Sequence, residues 1–479
     1  MTTDYISDNQ LKYYLQKYIR NNHIPDLTNL KLCGSRVISQ VGTTPAVFVI
    51  KNDTTSEAKF FGTASCHSAW ACPSCTAKVM AKKATEIACA IDALETWYNQ
   101  KAFMITFTIP HSSTMSCRDT FNILLTAWRK FTRGGNKGTR TDTYTLKLDK
   151  DQKNHHGGKA VGKKGETRQY TKITSIYGLF REQLKIKHNI RVFEFTWGEN
   201  SWHPHIHALF WVPKENFNKV LTYEQTLYNR WWHCCKEASL KYWNSKLPER
   251  EKQNKKANDE FYANWRKYPK TGHRSLFISK DEKGHLKQAK SSEYIAGWGG
   301  DKETTAQLKK GRKGHLTPLQ ILQESYQSED PTQKKFYMEL FIEYAKTTKG
   351  HMRTYFSARS GIKEIIKKWQ DTKTYKERVK KKFTQAGIWK TLLWFTKKQW
   401  SEIWNNSILY NKDLTSHILK LARAPNAKEN IQKLLLQYKI DISKNKDTKN
   451  IKRTIEIIEN KIFANKILKP EETGSGFTC

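Results

Sequence analysis

The segment WHPHIHALFWV, residues 202–212, constrains the fold of this chain more than any other. Histidines stand at 203, 205 and 207, the period of a β-strand and not of a helix. On a strand the three imidazoles share one face, and Pro204 and Ile206 take the other. The run IRVFEFTW reads as a second strand over 190–197, and Glu199–Asn200–Ser201 as a turn, so the two segments form a β-hairpin. In that hairpin Glu194 lies across from the histidines. His203, His205, His207 and Glu194 then make a mixed imidazole and carboxylate set. Such a set with open positions suits Mg²⁺ or Mn²⁺ acting as a Lewis acid on a phosphate. A lone His-x-His is commonly incidental. Three alternating histidines beside a glutamate-bearing strand carry more weight.

Charge points to where that phosphate comes from. The chain has 84 Lys+Arg against 45 Asp+Glu, a formal charge of +39, and a pI near 9.7. A polyanion is the default partner, either nucleic acid or an anionic membrane surface. The charge is spread: residues 361–479 carry a net +14, and residues 1–360 a net +25. Solvated lysine-rich surface accounts for part of it. No run approaches the ~18 apolar residues of a transmembrane helix, and MTTDYISDNQ lacks the pattern of a secretory signal. The expectation is a cytoplasmic protein that binds nucleic acid and no membrane. Its 12% aromatic content excludes a wholly disordered basic chain.

Nine cysteines, an odd number without a signal segment, fit a reduced protein. Cys66, Cys72 and Cys75, in SCHSAWACPSC, have the C-x5-C-x2-C spacing of a zinc site. The CPSC turn lets two thiolates face one ion. Cys33, in KLCGS, is the first choice for a fourth ligand, and His67 is the alternative. A closed Zn²⁺ site of this kind is structural, because it leaves no open position for substrate. Cys89 sits on the following helix-like segment and is expected to pack there, and Cys117, Cys234, Cys235 and Cys479 have no partner at useful spacing.

Along the chain, helices are expected over 10–22, 76–99, 119–132, 172–187, 216–245 and 333–346, from their apolar spacing. Strands are expected over 44–50, 60–64, 101–111 and 274–279. Residues 133–171 are Gly- and Lys-rich without periodicity and read as a mobile loop or basic flap. From 361 the pattern is that of a small basic α-helical domain. SSEYIAGWGG reads as a short helix around 286–298 carrying Tyr294, with Lys290 on the same helix face. Water as nucleophile at the metal would make a hydrolase, and a tyrosine would make a covalent transesterase.

Taken together, the order of these pieces resembles the rolling-circle plasmid replication initiators (Rep proteins) of the HUH endonuclease superfamily. The resemblance covers roughly residues 30–360. ITFTIPH is similar to the family's first motif, HPHIHAL to its second and EYIAGWG to its third. KLCGS and CHSAWACPSC are similar to cysteine motifs upstream in this branch, which favours Cys33 as the fourth ligand. The third motif departs at Gly297, where a lysine is common, and Lys290 stands where some members carry a glutamate.

The resemblance implies an α+β fold with a five-stranded antiparallel sheet, flanking helices and the histidines on a central strand. It implies a metal held by His205, His207 and Glu194, with His203 as ligand or phosphate contact. Tyr294 would be the nucleophile, and Lys290 would support it. The implied activity is nicking and rejoining of one strand at a plasmid origin through a 5′-phosphotyrosine. The implied partners are origin DNA, duplex and single-stranded, with a host helicase and DNA polymerase. The expected division is an N-terminal zinc-bearing region over 1–98, a catalytic domain over 99–360 and the helical region over 361–479. Two other readings share these residues: a related transposase or relaxase, and a non-catalytic zinc-containing nucleic-acid-binding protein.

Overall fold

A computed structural model of the chain describes residues 8–38, 45–54, 56–111, 113, 115–133, 140–147, 167–174, 176–246, 275–291, 315–357, 360–377, 389–409 and 413–467. Among these, ten strands occur: β1 (Ala46–Asn52), β2 (Ala58–Phe61), β3 (Gln100–Thr108), β4 (Arg140–Lys147), β5 (Thr167–Thr174), β6 (Asn189–Gly198), β7 (Ser201–Pro213), β8 (Leu276–Ile278), β9 (Thr354–Phe356) and β10 (Trp389–Thr396). Two compact units form. One gathers the described parts of Met1–Cys89, Tyr294–Met352 and Ile366–Cys479, the other those of Ala90–Glu293 and Arg353–Ile365. None of the described helices is long and apolar enough to cross a membrane.

The second unit is α+β. Its five strands pair antiparallel in the order β8-β3-β7-β6-β9, with β7 at the centre. β7 is bounded on both edges, and its C-terminal half, Ala208–Val212, is buried throughout. That is why this half is uniformly apolar, as a doubly covered strand must be. One face of the sheet is closed by helices Cys117–Arg133 and Glu224–Lys246. Phe107 of β3 meets Trp128, Phe131 and Trp231 from those helices edge-on, at ring separations of 5.2, 5.3 and 5.0 Å. Phe121 does the same to Phe193 and Phe195 of β6. Such edge contacts are favourable for the ring quadrupole and add to the area buried. Period-two alternation sends the intervening residues of β3, β6 and β7 to the opposite face.

In the first unit β1 lies between β10 and β2, again antiparallel. Val47 and Val49 face a core of Leu393, Phe395, Trp400, Ile403, Trp404 and Ile418, among others. Ala46, Phe48 and Ile50 face Ile451 and Ile458 on the other side. A strand covered on both faces explains the unbroken AVFVI run. Helix Asp8–Asn21 joins the same core, with the Tyr13 ring 4.9 Å from that of Trp404. Side-chain caps set several helix starts. Thr317 and Gln320 form a capping box before Pro318–Gln327, and Asp330 and Asp413 cap Pro331–Thr348 and Leu414–Arg423.

Several expectations differ from what is found. The expected helical region after 361 includes β10, which completes a sheet with β1, so the N- and C-terminal segments share one unit and the expected divisions at 98 and 361 do not mark its limits. Helical-looking charge spacing masked WKTLLWFT, whose aromatic and β-branched residues favour a strand. Within the expected loop 133–171, β4 and β5 form an antiparallel ladder from Arg140↔Thr174 to Lys147↔Thr167. Threonines at 141, 143 and 145 supply the β-propensity that the Gly and Lys content concealed. The helix expected over 172–187 starts only at Ile176. Residues 286–290 are not helical, because Leu286 bridges Lys280 and the Ala289 N–H donates to the Ala102 carbonyl.

The first unit depends on the aromatic contact between its sheet and helix Lys397–Leu409. Trp400 is fully buried and its Nε1–H donates to the Gly34 carbonyl at 3.0 Å. Trp400→Ala is expected to lower unfolding free energy by about 3–5 kcal/mol. Urea titration followed by circular dichroism measures this, and a change below 1 kcal/mol would contradict the assignment of this core.

Candidate functional site

Cys33, Cys66, Cys72 and Cys75 bring their sulfurs together within 4.8 Å of one another. The Cys33–Cys75 and Cys33–Cys72 sulfur separations are 3.5 and 3.6 Å. A tetrahedral zinc with Zn–S near 2.3 Å places its sulfurs ~3.8 Å apart, so the quartet can hold a metal ion such as zinc. The fourth member of this cluster is Cys33, the first choice, and His67 is outside it.

Local chemistry explains the convergence. Pro73 occupies the first turn of helix Pro73–Tyr98, where a missing N–H costs nothing. The Cys72 carbonyl accepts from the N–H of Cys75 and of Thr76 at 3.1 and 2.8 Å, so both thiols sit at a helix N-terminus. That end favours thiolate at Cys75, whose thiol is lowered, whereas hydrogen bonding with Cys33 overrides it at Cys72. The Ser68 hydroxyl accepts from the N–H of Trp70 and Ala71 and shapes the CHSAWAC loop. Cys33 arrives from a distant segment, and the buried Gln16 amide holds it by donating to the carbonyls of Leu30 and Cys33, both at 2.9 Å. Gly34 has φ +82°, and a Cβ there would collide with the Trp404 ring. Glycine is thus required for the turn that delivers Cys33.

Proton sharing among the four thiols is uneven. Hydrogen bonds with Cys66 and then Cys72 draw Cys33 down to about 7. Hydrogen bonding with Cys33 lowers Cys75 and raises Cys66 and Cys72. Metal binding would displace the remaining protons, which makes affinity rise with pH. Cys89, Cys117, Cys234 and Cys235 are buried away from this quartet.

In the second unit, β6 and β7 form the expected hairpin, from Gly198↔Ser201 back through Glu194↔His205 and Val192↔His207. The two-residue loop is Glu199–Asn200, and Ser201 opens β7 with φ +68°. His203, His205 and His207 alternate with Pro204 and Ile206 and share one face. The His203 and His205 rings stack at 4.3 Å, and those of His205 and His207 at 6.0 Å. Glu194 meets His207 Nε2 at 2.7 Å, with side chains 39% and 22% exposed respectively. Burial pushes the Glu194 carboxyl up, but the hydrogen bond from His207, and the charges of His207, His205 and Arg353, outweigh it and hold it at about 2. Glu194 is therefore ionised at neutral pH, ready as a ligand or a counter-charge.

Three residues beyond the expected set join this face. Thr106 Oγ1 lies 3.0 Å from His207 Nδ1 and fixes the ring orientation, the role a partner on the other nitrogen plays at metal-ligating histidines. The Thr108 hydroxyl bonds His203 Nε2. His111 donates from Nδ1 to the Asn200 carbonyl at 2.7 Å and its ring meets His203 at 4.5 Å. ITFTIPH carried the signal: Thr106 and Thr108 alternate with core residues, as the histidines do.

The two donor sets differ in how they fit a metal. A cis pair of ligands on an octahedral ion with 2.1 Å bonds lies ~3 Å apart, close to the Glu194–His207 separation. His205 shares their face, yet the three do not converge as the cysteines do. Among the described residues the cysteine quartet is the one group of three or more possible ligands that meets at a point. Lys290 is exposed and non-helical, one residue beyond Ala289, and Tyr294 lies outside the described residues. No family model matches the chain, and no curated protein or solved structure matches it either.

Cys75→Ala is expected to reduce bound zinc from one equivalent to less than about 0.2 and to destabilise the first unit, as loss of a structural site does. Elemental analysis and a thermal melt check this. Unchanged zinc content would remove the quartet as the metal site.

Proposed function

We propose that this chain is a rolling-circle replication initiator of the HUH type, which nicks one DNA strand and later rejoins it. The observation that carries the reading is the central strand β7, with His203, His205 and His207 on one face and Glu194 in register across from His205. A histidine row on a central strand, flanked by an ionised carboxylate, offers donor types that metal-assisted phosphodiester chemistry uses. The net charge of +39 supports a nucleic-acid substrate. The three motifs named above follow in the family's order.

In this proposal His205, His207 and Glu194 would hold Mg²⁺ or Mn²⁺, and the bound ion would polarise a non-bridging oxygen of the scissile phosphate. Thr106 holds the His207 ring, and Thr108 and His111 hold His203 as a neighbouring hydrogen-bonding group for the phosphate. Tyr294 passes its phenolic proton to solvent water and attacks phosphorus. The Tyr294 O–P bond forms as the P–O3′ bond breaks, and the departing 3′ oxygen takes a proton to become a primer hydroxyl. Attack by a 3′-OH on the phosphotyrosine reverses the step and rejoins the strand. Bond energy is conserved, so no nucleotide is consumed. Lys290, on the exposed segment before Tyr294, supplies positive charge near the phosphate. The cysteine quartet would hold zinc in a structural role. Origin DNA, a host helicase and a host polymerase complete the reaction.

The test uses labelled single strands tiling the DNA on either side of the gene, with Mn²⁺ added. Wild type is expected to form an adduct that survives boiling detergent. Tyr294→Phe should abolish it, and His205→Ala or His207→Ala should reduce it at least about 100-fold while duplex binding persists. An adduct with Tyr294→Phe would refute the nucleophile. Metal-independent binding, with no adduct from any strand, would favour the non-catalytic reading instead.

A further inference from the structure

The histidine face carries an aromatic side chain that no step above uses. β8 is an edge strand, and burial alternates along it. Leu276 and Ile278 are buried, whereas Phe277 between them is 39% exposed. Leu276 pairs with Phe107 and Ile278 with Ile105, on the core side of the sheet, and Phe277 pairs with Thr106. Thr106 pairs in turn with His207 and hydrogen-bonds its ring. Directly paired residues share a face. Phe277, Thr106 and His207 thus form one row, with the phenyl side chain two strand spacings, ~10 Å, from the imidazole.

Among the described residues the row is open at one end only. Beyond His207 it continues through Val192 and Thr354, and both are buried. A polymer that reaches His207 along this row therefore comes over the β8 edge, across Phe277. Exposed edge-strand positions ordinarily take charged residues, which discourage pairing with other chains. A phenyl ring is the contrary choice. The segment that follows β8 runs along the same edge. The Lys287 N–H donates to the Ser279 carbonyl and the Ala289 N–H to the Ala102 carbonyl, and Lys287 and Lys290 are exposed. An aromatic face beside lysines is the combination that grips a single strand: cations attract the backbone and the ring takes a base.

We infer that Phe277 is a stacking platform for a base of single-stranded DNA, next to the phosphate position at His207. This rests on the nickase reading and adds what selects and positions its substrate. Charge attracts a phosphate backbone without orienting it. A stacked base fixes one nucleotide, and with it the phosphate a short distance along the strand. Bases in a duplex are already stacked on each other, so the ring discriminates in favour of melted DNA.

Binding is measured by fluorescence anisotropy of the full chain, on a mixed-sequence strand of about 20 nucleotides and on its duplex. Phe277→Ala and Phe277→Leu are expected to weaken single-strand binding about 5- to 150-fold and to leave duplex binding unchanged. Phe277→Trp should restore single-strand affinity. Leucine retains apolar bulk, so a folding defect would be seen in the melt and in duplex binding. Single-strand affinity of Phe277→Leu equal to wild type would overturn the platform, as would an equal fall on strand and duplex. The adduct assay separates the two proposals. Normal adducts with ring-independent binding sink the platform alone. No adduct from wild type, with binding that still requires the ring, sinks the nickase and leaves the platform.

Discussion

Main-chain pairing of β7 along both of its edges is the constraint on which the candidate site depends. Each β7 residue from Ser201 to Pro213 is held by β6, β3 or both. Side chains on a strand alternate, so a one-residue slip would send His203, His205 and His207 into the aromatic core and bring Pro204 and Ile206 out. Burial of Ile206 and Trp202 makes that slip costly. The same register sets Glu194 opposite His205, Thr106 opposite His207 and Phe277 beyond Thr106. A half-buried row of polar groups is thereby positioned by backbone hydrogen bonds and core packing, and not by its own contacts. Rigid elements of this kind hold a site more closely than loops do.

A second constraint acts in the other unit. Four thiols lie close enough to share protons and to coordinate one ion, and they come from segments separated by more than thirty residues. Gln16, Gly34 and Trp400 are the residues that bring Cys33 to the others. Ion binding at such a place is folding free energy as well as coordination, because the unfolded chain has no preformed quartet. Closed tetrahedral sulfur coordination leaves no room for substrate. The chemistry proposed for this chain therefore belongs to the oxygen and nitrogen donors of the sheet.

Legibility in the sequence followed the locality of each signal. The hairpin, its register and the shared face of the histidines were readable because period two is local and strong. Helices Pro73–Tyr98, Cys117–Arg133 and Pro331–Thr348 were readable for the same reason at period 3.6. β10 was not, because its pairing partner lies more than 330 residues away and helix Lys397–Leu409 follows it directly. β4 and β5 were hidden by glycine and lysine around them. Of the site, Glu194 and the three histidines could be read. Thr106, Thr108 and His111 were visible only as a strand motif, since a threonine becomes a ring-orienting group only when a histidine is known to sit opposite.

By itself, the sequence determined the residue types and their local periods: alternating histidines, a CPSC turn before a helix, a basic surface and apolar runs that must be covered. Those properties depend on neighbours a few positions apart, and chain sterics decide them. Only the tertiary structure decided which strands flank β7, that Cys33 and not His67 completes the quartet, and that Phe277 stands exposed in the histidine row. These depend on pairings and loop closures between distant segments. Their free energy comes from burial and main-chain hydrogen bonds summed over a whole unit.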